Sequence, residues 1–352
     1  MDKFKNFLLL LNNKIVLLRT KLLIYINKNQ VRLVSMFKKL FSFDSFTEFF
    51  GKWWHRIIVI LLLITVLYFP IGGAMVHNID DDTAYKGQTV NKGESYTVSM
   101  VASLIHREVD EKTWTPNLPF FFPSFYLDNM PNYQLGMVNA LSKFTIELSD
   151  QLGRMRGSSQ ADPDLENAAG MLKYPGTRWI FDASTSFMPT TSANGMYKSA
   201  RKSLINYNKR LANGEAVFEK RADNLISALD KIAKDLGSSS AIIDKQITAG
   251  QETTFDFKGD DVFYSSKGKT YAYYLVLREL GKDYKQVIRD KEMDKVWEKM
   301  VETFEKASSL DPVVVVNGAP DAQIMPSHLS SMGFYLLRAR TKLQEVSNIL
   351  IK

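Results

Sequence analysis

The chain has 352 residues, 45% of them hydrophobic and 24% charged, with no cysteine and a formal net charge of +7. Those proportions belong to a folded protein and exclude a disordered, collagen-like or disulfide-stapled chain. Residues 1–56 carry eleven Lys and Arg against three acids (Asp2, Asp44, Glu48), which leaves residues 57–352 at a net −1; the basic excess concerns the N-terminus, and no nucleic-acid partner is expected for the remainder.

Taken in chain order, the first apolar stretch is Phe7 to Ile26, in which 14 of 20 residues are apolar but Lys14, Arg19 and Lys21 intervene. Each such charge costs about 2.5 to 3.5 kcal/mol near the centre of a spanning helix, so a second span is not expected. Residues 1–35 read as a helix lying on the membrane surface or as an upstream extension ahead of a start at Met36. Residues 36–56 form a basic, aromatic leader in which Phe37, Phe41, Phe46, Phe49, Phe50 and Trp53 recur at helical spacing among Lys38, Lys39 and Lys52. That pattern suits a short interfacial helix, or a stripe that buries against the span.

Ile57 to Val76 reads IIVILLLITVLYFPIGGAMV, twenty residues without a charge. At about 1.5 Å per residue it covers the roughly 30 Å hydrocarbon core of a bilayer. Lys52 and Arg56 stand before it and Asp80, Asp81 and Asp82 after it, with Trp53, Trp54 and Tyr68 suited to interfacial depth. This predicts a single transmembrane helix over 57–76 with a cytoplasmic N-terminus and residues 77–352 outside. Gly72 and Ala74 would also suit a cleaved leader, but the long preceding region and the continuation of the run to Val76 favour a retained signal anchor.

Beyond the span, helical periodicity dominates. Trp114 to Pro131 contains Pro116, Pro119, Pro123 and Pro131 around Phe120, Phe121 and Phe122, so it is not a regular helix. It is expected to plug the core or, if its rings are exposed, to form a docking patch. Val138, Leu141, Leu148, Leu152 and Met155 predict a helix. A longer pattern runs Tyr197, Ala200, Leu204, Tyr207, Leu211, then Phe218, Ala222, Leu225, Leu229, Ile232 and Leu236. The eleven-residue step at Leu211 is a stutter over Asn213 and Gly214, giving one kinked helix or two helices with a turn; Gly237 and the serines after it supply a stop. Residues 255–264, FDFKGDDVFY, alternate around Gly-Asp and predict one hairpin. Helices follow at Tyr271 to Leu280 and through Met293, Trp297, Met300, Phe304 and Ala307, and Val313 to Val316 reads as an extended connector packed on them. Leu329, Met332, Leu336, Ala339, Leu343, Val346 and Leu350 hold an unbroken 3-4 spacing behind the N-cap Ser327. The expected fold class is mostly α: one transmembrane helix plus an extracytoplasmic, bundle-like helical domain with at most one small hairpin, its long seams suited to a coiled coil.

Chemistry-bearing motifs are sparse. Gly268-Lys269-Thr270 resembles the end of a phosphate-binding loop, but that loop needs a glycine where Phe263 stands. Ser199-x-x-Lys202 and Ser266-x-x-Lys269 match a serine-lysine spacing of penicillin-recognising enzymes without its companion elements. The histidines are His55, His77, His106 and His328, with no HExxH and no cysteine; neither a metal nor a cofactor is expected. Asp80 to Asp82 are expected to serve topology and solvation, and Asp260-Asp261 a turn. Asn317, Asp321, Ser327 and His328 cluster near a helix start, where capping accounts for them; His328 and Asp321 are the pair to test for catalysis.

Three stretches, ADPDLENAAGMLKY (161–174), DDVFYSSKGKTYAYYLVLREL (260–280) and PSHLSSMGFYLLRARTKL (326–343), resemble a family of uncharacterised proteobacterial inner-membrane proteins, the domain-of-unknown-function family numbered 2333. The resemblance covers residues 50–352, leaves residues 1–35 outside, implies a Gram-negative envelope location and carries no catalytic residues. The expectation is therefore a bitopic inner-membrane protein whose periplasmic helical domain meets an envelope protein or a second copy, with the lipid bilayer as its other partner. The alternatives are an envelope hydrolase acting on cell wall or lipid, and a lipid or small-ligand carrier if the helices enclose an apolar cavity.

Overall fold

The computed structural model describes residues 20–21, 44–152, 160–181, 188–250, 256–319 and 325–352. The chain divides into two compact units, residues 1–67 and 68–352. Apart from Thr20 and Lys21, the expected surface helix or extension over 1–35 lies outside the described residues, as do positions 36–43 of the leader.

The first unit contains most of α1 (Asp44–Val76). From Trp53 to Val76 this helix has a mean hydropathy of 2.6 and is almost wholly exposed, which makes it long and apolar enough to cross a membrane. The leader from Asp44 onward is continuous with the apolar run in one helix. Arg56 lies over the Trp53 ring at 4.9 Å, and Thr65 donates to the Leu61 carbonyl at 2.8 Å, so its hydroxyl is satisfied within the helix.

The second unit holds the last turns of α1 and nine further helices among the described residues: α2 (Tyr96–His106), α3 (Asn129–Glu147), α4 (Pro163–Leu172), α5 (Ala193–Ala212), α6 (Ala222–Gly250), α7 (Phe257–Asp283), the short α8 (Lys285–Asp290), α9 (Asp294–Ser308) and α10 (His328–Ile351). Helices α2 and α3 each end in a π-turn, Arg107–Glu111 and Leu148–Leu152. No strand occurs among the described residues; Asn317 and Ser327 form an isolated antiparallel bridge.

Helix α7 is the spine. It packs against α2, α3, α6, α9 and α10, and its residues Tyr271 to Leu277 are all buried, as befits a helix enclosed on every side. A Cβ on Gly268 would lie 2.0 Å from the Tyr133 carbonyl oxygen, and one on Gly136 would lie 2.0 Å from that of Ser265. Reciprocal glycines thus let the backbones of α3 and α7 touch, which accounts for the glycine of the Gly268-Lys269-Thr270 triplet. In α10 the whole 3-4 seam from Leu329 to Leu350 is buried, against α6 and α9. The seam closes inside the domain and is not left open as a coiled-coil face.

Three expectations are corrected. Residues 256–264 begin α7 and do not form a hairpin: the Asp256 carboxylate accepts from the Gly259 amide at 2.9 Å and caps the helix, while Phe263 and Tyr264 enter the core. Gly237 does not stop α6, which runs on to Gly250. The serines that suggested the stop satisfy their hydroxyls on carbonyls four residues back (Ser238 on Lys234, Ser239 on Asp235, Ser240 on Leu236), and Gly237 lies beneath the Arg340 guanidinium. Val313 and Val314 are exposed, so the connector packs only through Val315. Trp114 to Pro131 does both things left open for it: Trp114 and Met130 enter the core and Pro123 is buried against Gly72, whereas Phe120, Phe121, Phe122, Phe125 and Tyr126 are exposed. The stutter resolves as two helices, with α5 ending at Ala212 and α6 starting at Ala222.

The closed seam carries a prediction. Leu336→Ala removes a fully buried side chain and is expected to cost about 2 to 5 kcal/mol, read as a lowered denaturation midpoint of the detergent-solubilised chain.

Candidate functional site

The most elaborate polar assembly grips the backbone that follows α1. Arg107, at the end of α2, is buried, and its Nη2 donates to the Asp80 carbonyl at 2.9 Å. Its Nη1 donates to the Tyr271 hydroxyl at 2.8 Å and lies 3.3 Å from the Asp80 carboxylate, and its Nε donates to Glu108 at 2.9 Å. Tyr133 donates to the same Asp80 carbonyl at 2.9 Å, and Tyr271 to that of Asp82 at 2.8 Å. Tyr274 and Arg278 then take the Thr83 carbonyl at 3.2 and 2.8 Å, and Arg278 also donates to the carbonyl of Tyr85. Lys267, fully buried, pairs with Asp81 at 2.7 Å and Asp311 at 2.9 Å. Asp80 and Asp81, expected as solvated topology signals, are therefore structural ligands of the domain.

Electrostatics lock this clasp. Burial opposes the Arg107 charge, but Glu108 beside it and the tyrosine hydroxyls hold its pKa above the ordinary value. Burial pushes the Glu108 carboxyl up, against the pull of Arg107 and the Gln134 amide. Gln134 is anchored in turn, its Oε1 accepting from the Thr115 amide at 2.9 Å and hydroxyl at 2.8 Å. A related device fixes the start of α2: Asp283, the last residue of α7, accepts from the Ser95 hydroxyl at 2.8 Å, the Thr97 amide at 2.9 Å and the Thr97 hydroxyl at 2.7 Å. A carboxylate borrowed from another helix thus complements the N-terminal amides of α2.

The sequence motifs fall elsewhere. Lys269 lies in a second buried cluster, with its Nζ 2.8 Å from Ser239 Oγ and 3.1 Å from Asp235, which also accepts from Tyr273 at 2.9 Å and from Lys143. A serine hydroxyl facing a lysine whose pKa is lowered by burial is the raw material of a nucleophile-base pair. Here Asp235 holds the ammonium, and Ser239 is buried and donates its proton to the Asp235 carbonyl at 3.2 Å. Ser199 is bonded to the Gly195 carbonyl at 3.0 Å within its own helix.

His328 opens α10. Its Nδ1 accepts from the Val316 amide at 2.9 Å, and its own amide donates to the Val316 carbonyl at 2.9 Å. Accepting at Nδ1 puts the proton of the neutral ring on Nε2, and burial lowers its pKa, so in this arrangement the ring has no lone pair left for a general base. Ser327 caps the helix through Ser330, and Asn317 donates to Asp256 at 2.7 Å, both structural roles. Asp321 lies outside the described residues. Asp260 sits in the first turns of α7, its carboxyl pushed up to about 6 by burial and by Asp128 and Asp261. Two surface clefts of about 310 and 340 Å³ flank the core, the first lined by Arg278, Lys282, Trp297 and Glu298, the second by Leu135, Lys143, Tyr174 and Tyr197. Both open to solvent.

A family described as an uncharacterized protein conserved in bacteria (DUF2333) matches residues 52–352. The chain belongs to that family. No curated protein and no solved structure matches it. The DUF2333 match takes in the last seven turns of α1 as well as the helical domain, so helix and clasp fall within one family unit.

Two outcomes follow for this DUF2333 chain. Arg107→Leu strands Glu108 in the interior without its cation and leaves the Asp80 carbonyl with Tyr133 alone, which is expected to cost about 3 to 5 kcal/mol, measured by denaturant unfolding. Asp260 binds a proton in the folded state up to about pH 6 against 3.8 ordinarily, so its contribution is fully present below pH 3.8 and is lost as pH rises through 6. Asp260→Asn should therefore raise the thermal midpoint at pH 7.5 and flatten its dependence on pH between 4 and 6.

Proposed function

We propose that this chain is a bitopic protein of the bacterial inner membrane, cytoplasmic at its N-terminus. Its periplasmic helical domain serves as a rigid platform for an envelope protein partner or for self-association. The observation that carries this reading is the clasp. A domain that hangs from a membrane on a flexible tether leaves the residues after the span free, whereas here the carbonyls of Asp80, Asp82, Thr83 and Tyr85 are each held by side chains of the domain, from the buried Arg107 and Tyr271 and the half-buried Arg278. Such contacts fix the course of the backbone that follows α1 within the domain, which suits a platform beside its anchor.

The direction of insertion is supported by Lys52 and Arg56 before the apolar run and Asp80 to Asp82 after it. Retention of the helix is supported by its last turns: Pro123 fills the space where a Cβ of Gly72 would stand, so the small residues that suit a cleavage site have a packing role. A partner surface is supported by α10, which leaves Phe334 and Leu337 exposed one turn apart on the side away from its buried seam.

The test is in cells. A fluorescent protein that matures only in the cytoplasm, fused after Lys352, should stay dark, and a photo-crosslinking residue in place of Leu337 should yield a reproducible adduct with one envelope protein or with a second copy. A bright fusion overturns the orientation, and absence of any adduct from Leu337 and Phe334 overturns the platform.

A further inference from the structure

We propose that the exposed aromatic loop of residues 120–126, with Trp179 and Phe181, is an interfacial pad that seats the domain in the headgroup layer of the bilayer crossed by α1. The proposal rests on the reading of α1 as a span.

The loop is built to display its rings and not to bury them. From Thr115 to Leu127 the sequence TPNLPFFFPSFYL has no charged residue. Its base is rooted: Trp114 is buried, donates to the Gly176 carbonyl at 2.9 Å and meets the Tyr197 ring edge-on at 5.1 Å. Asn117 donates to the Arg178 carbonyl at 2.9 Å and to Asn194 at 2.7 Å, and Pro123 and Ser124 are buried. Backbone turns close at Leu118 on Thr115, Phe122 on Pro119, Phe125 on Phe122 and Leu127 on Ser124. On this fixed base Phe120, Phe121, Phe122, Phe125 and Tyr126 remain between 36% and 67% exposed. Five large rings held outward by a bonded frame form an apolar surface of the kind that marks an interaction site.

Continuity with α1 identifies what covers it. Phe69 stacks edge-on against Tyr126 at 5.0 Å, and Pro123 sits over Gly72. Phe69 lies seven residues before the end of α1 at Val76, about 10 Å along the axis, so a surface packed on Phe69 and Gly72 stands beside the outer end of the span, next to the boundary between acyl chains and headgroups. The pad then continues laterally, Phe121 meeting Trp179 at 5.9 Å and Trp179 meeting Phe181 at 5.5 Å. Segment 178–181 is itself held by the Ala193 amide on the Arg178 carbonyl and the Thr190 amide on that of Ile180. Aromatic rings with a Tyr and a Trp among them suit this zone, since one edge of the site is wet and the other apolar. The ligand is thus a lipid surface, and the membrane reaches the pad because α1 brings it there.

The absence of cysteine makes the test direct. Full-length chains with a single nitroxide label at Phe120→Cys, Phe121→Cys or Tyr126→Cys are reconstituted in phosphatidylethanolamine and phosphatidylglycerol vesicles. Collision with oxygen and with a water-soluble nickel chelate is then measured, with Leu62→Cys and the fully exposed Val313→Cys as references. The expected result is an oxygen-to-nickel ratio at 120, 121 and 126 that lies between those at 62 and 313 and falls to the value at 313 when the vesicles are replaced by a short-chain detergent. A lipid-insensitive ratio equal to that at 313, with 62 reading as membrane-buried, overturns the pad and leaves the span intact. Protection from both reagents, or spin-spin broadening, at 120 and 121 assigns the surface to a protein or a second copy and also overturns it. A water-exposed reading at 62 overturns the span reading, and the pad with it.

Discussion

A guanidinium withdrawn from water must have every one of its donors answered, and Arg107 organises this domain through that requirement. Its partners are four groups from three places in the chain: the carboxylate of Glu108 beside it, the carbonyl and carboxylate of Asp80, and the hydroxyl of Tyr271. The guanidinium also lies over the rings of Tyr85 at 4.7 Å and Tyr271 at 5.1 Å. Interaction between charges so screened from solvent is strong, and a displacement of any partner leaves a charge or a carbonyl unmatched. The backbone after α1 is therefore held in one course, and α2, α3 and α7 are held around it.

Helix α7 meets this demand through its own period. Lys267, Tyr271, Tyr274 and Arg278 follow steps of four, three and four, so they form one stripe, and all four reach the segment 81–85. Lys269 and Tyr273, four apart, form a second stripe towards Asp235 on α6. The helix is buried all round yet carries two lines of polar heads, each answered by a different neighbour. Such an interior specifies its own arrangement more sharply than an oily one, because only one register satisfies both lines.

This is also why the fold was more legible than its polar core. The 3-4 seam of α10 and the pattern of α9 are visible because apolar residues repeat in sequence, and the structure buries them as that repeat requires. The stripe on α7 uses Lys, Arg and Tyr, which in one dimension look like an ordinary solvated face. Residues 256–264 misled because a short apolar alternation fits period two as well as period 3.6, and the deciding feature, the cap at Asp256, lies just before the run. Helices α2 and α4 went unread although Ser95, and Asp162 followed by Pro163, mark their starts by ordinary capping chemistry. Gly237 reads as a stop because a glycine that lies under a distant side chain, here the Arg340 guanidinium, is indistinguishable in sequence from one that a turn requires. The clasp itself left no sequence signal, since it pairs a carbonyl that any residue supplies with side chains far along the chain.

That separation has a consequence for assembly order. Synthesis proceeds from the N-terminus, and the carbonyls of Asp82 and Thr83 emerge 189 to 195 residues before the side chains that will hold them. Until α7 has been made, water is their partner, and Asp283, which completes the start of α2, arrives later still, 186 residues after Thr97. The entropy of closing so long a loop rises only as the logarithm of its length, but contacts this distant in sequence slow the search for them. The junction next to the apolar helix is thus the first part of the domain to be synthesised and among the last to become rigid. A chain that stops short of residue 257 leaves the ribosome with its apolar helix complete and its clasp unmade.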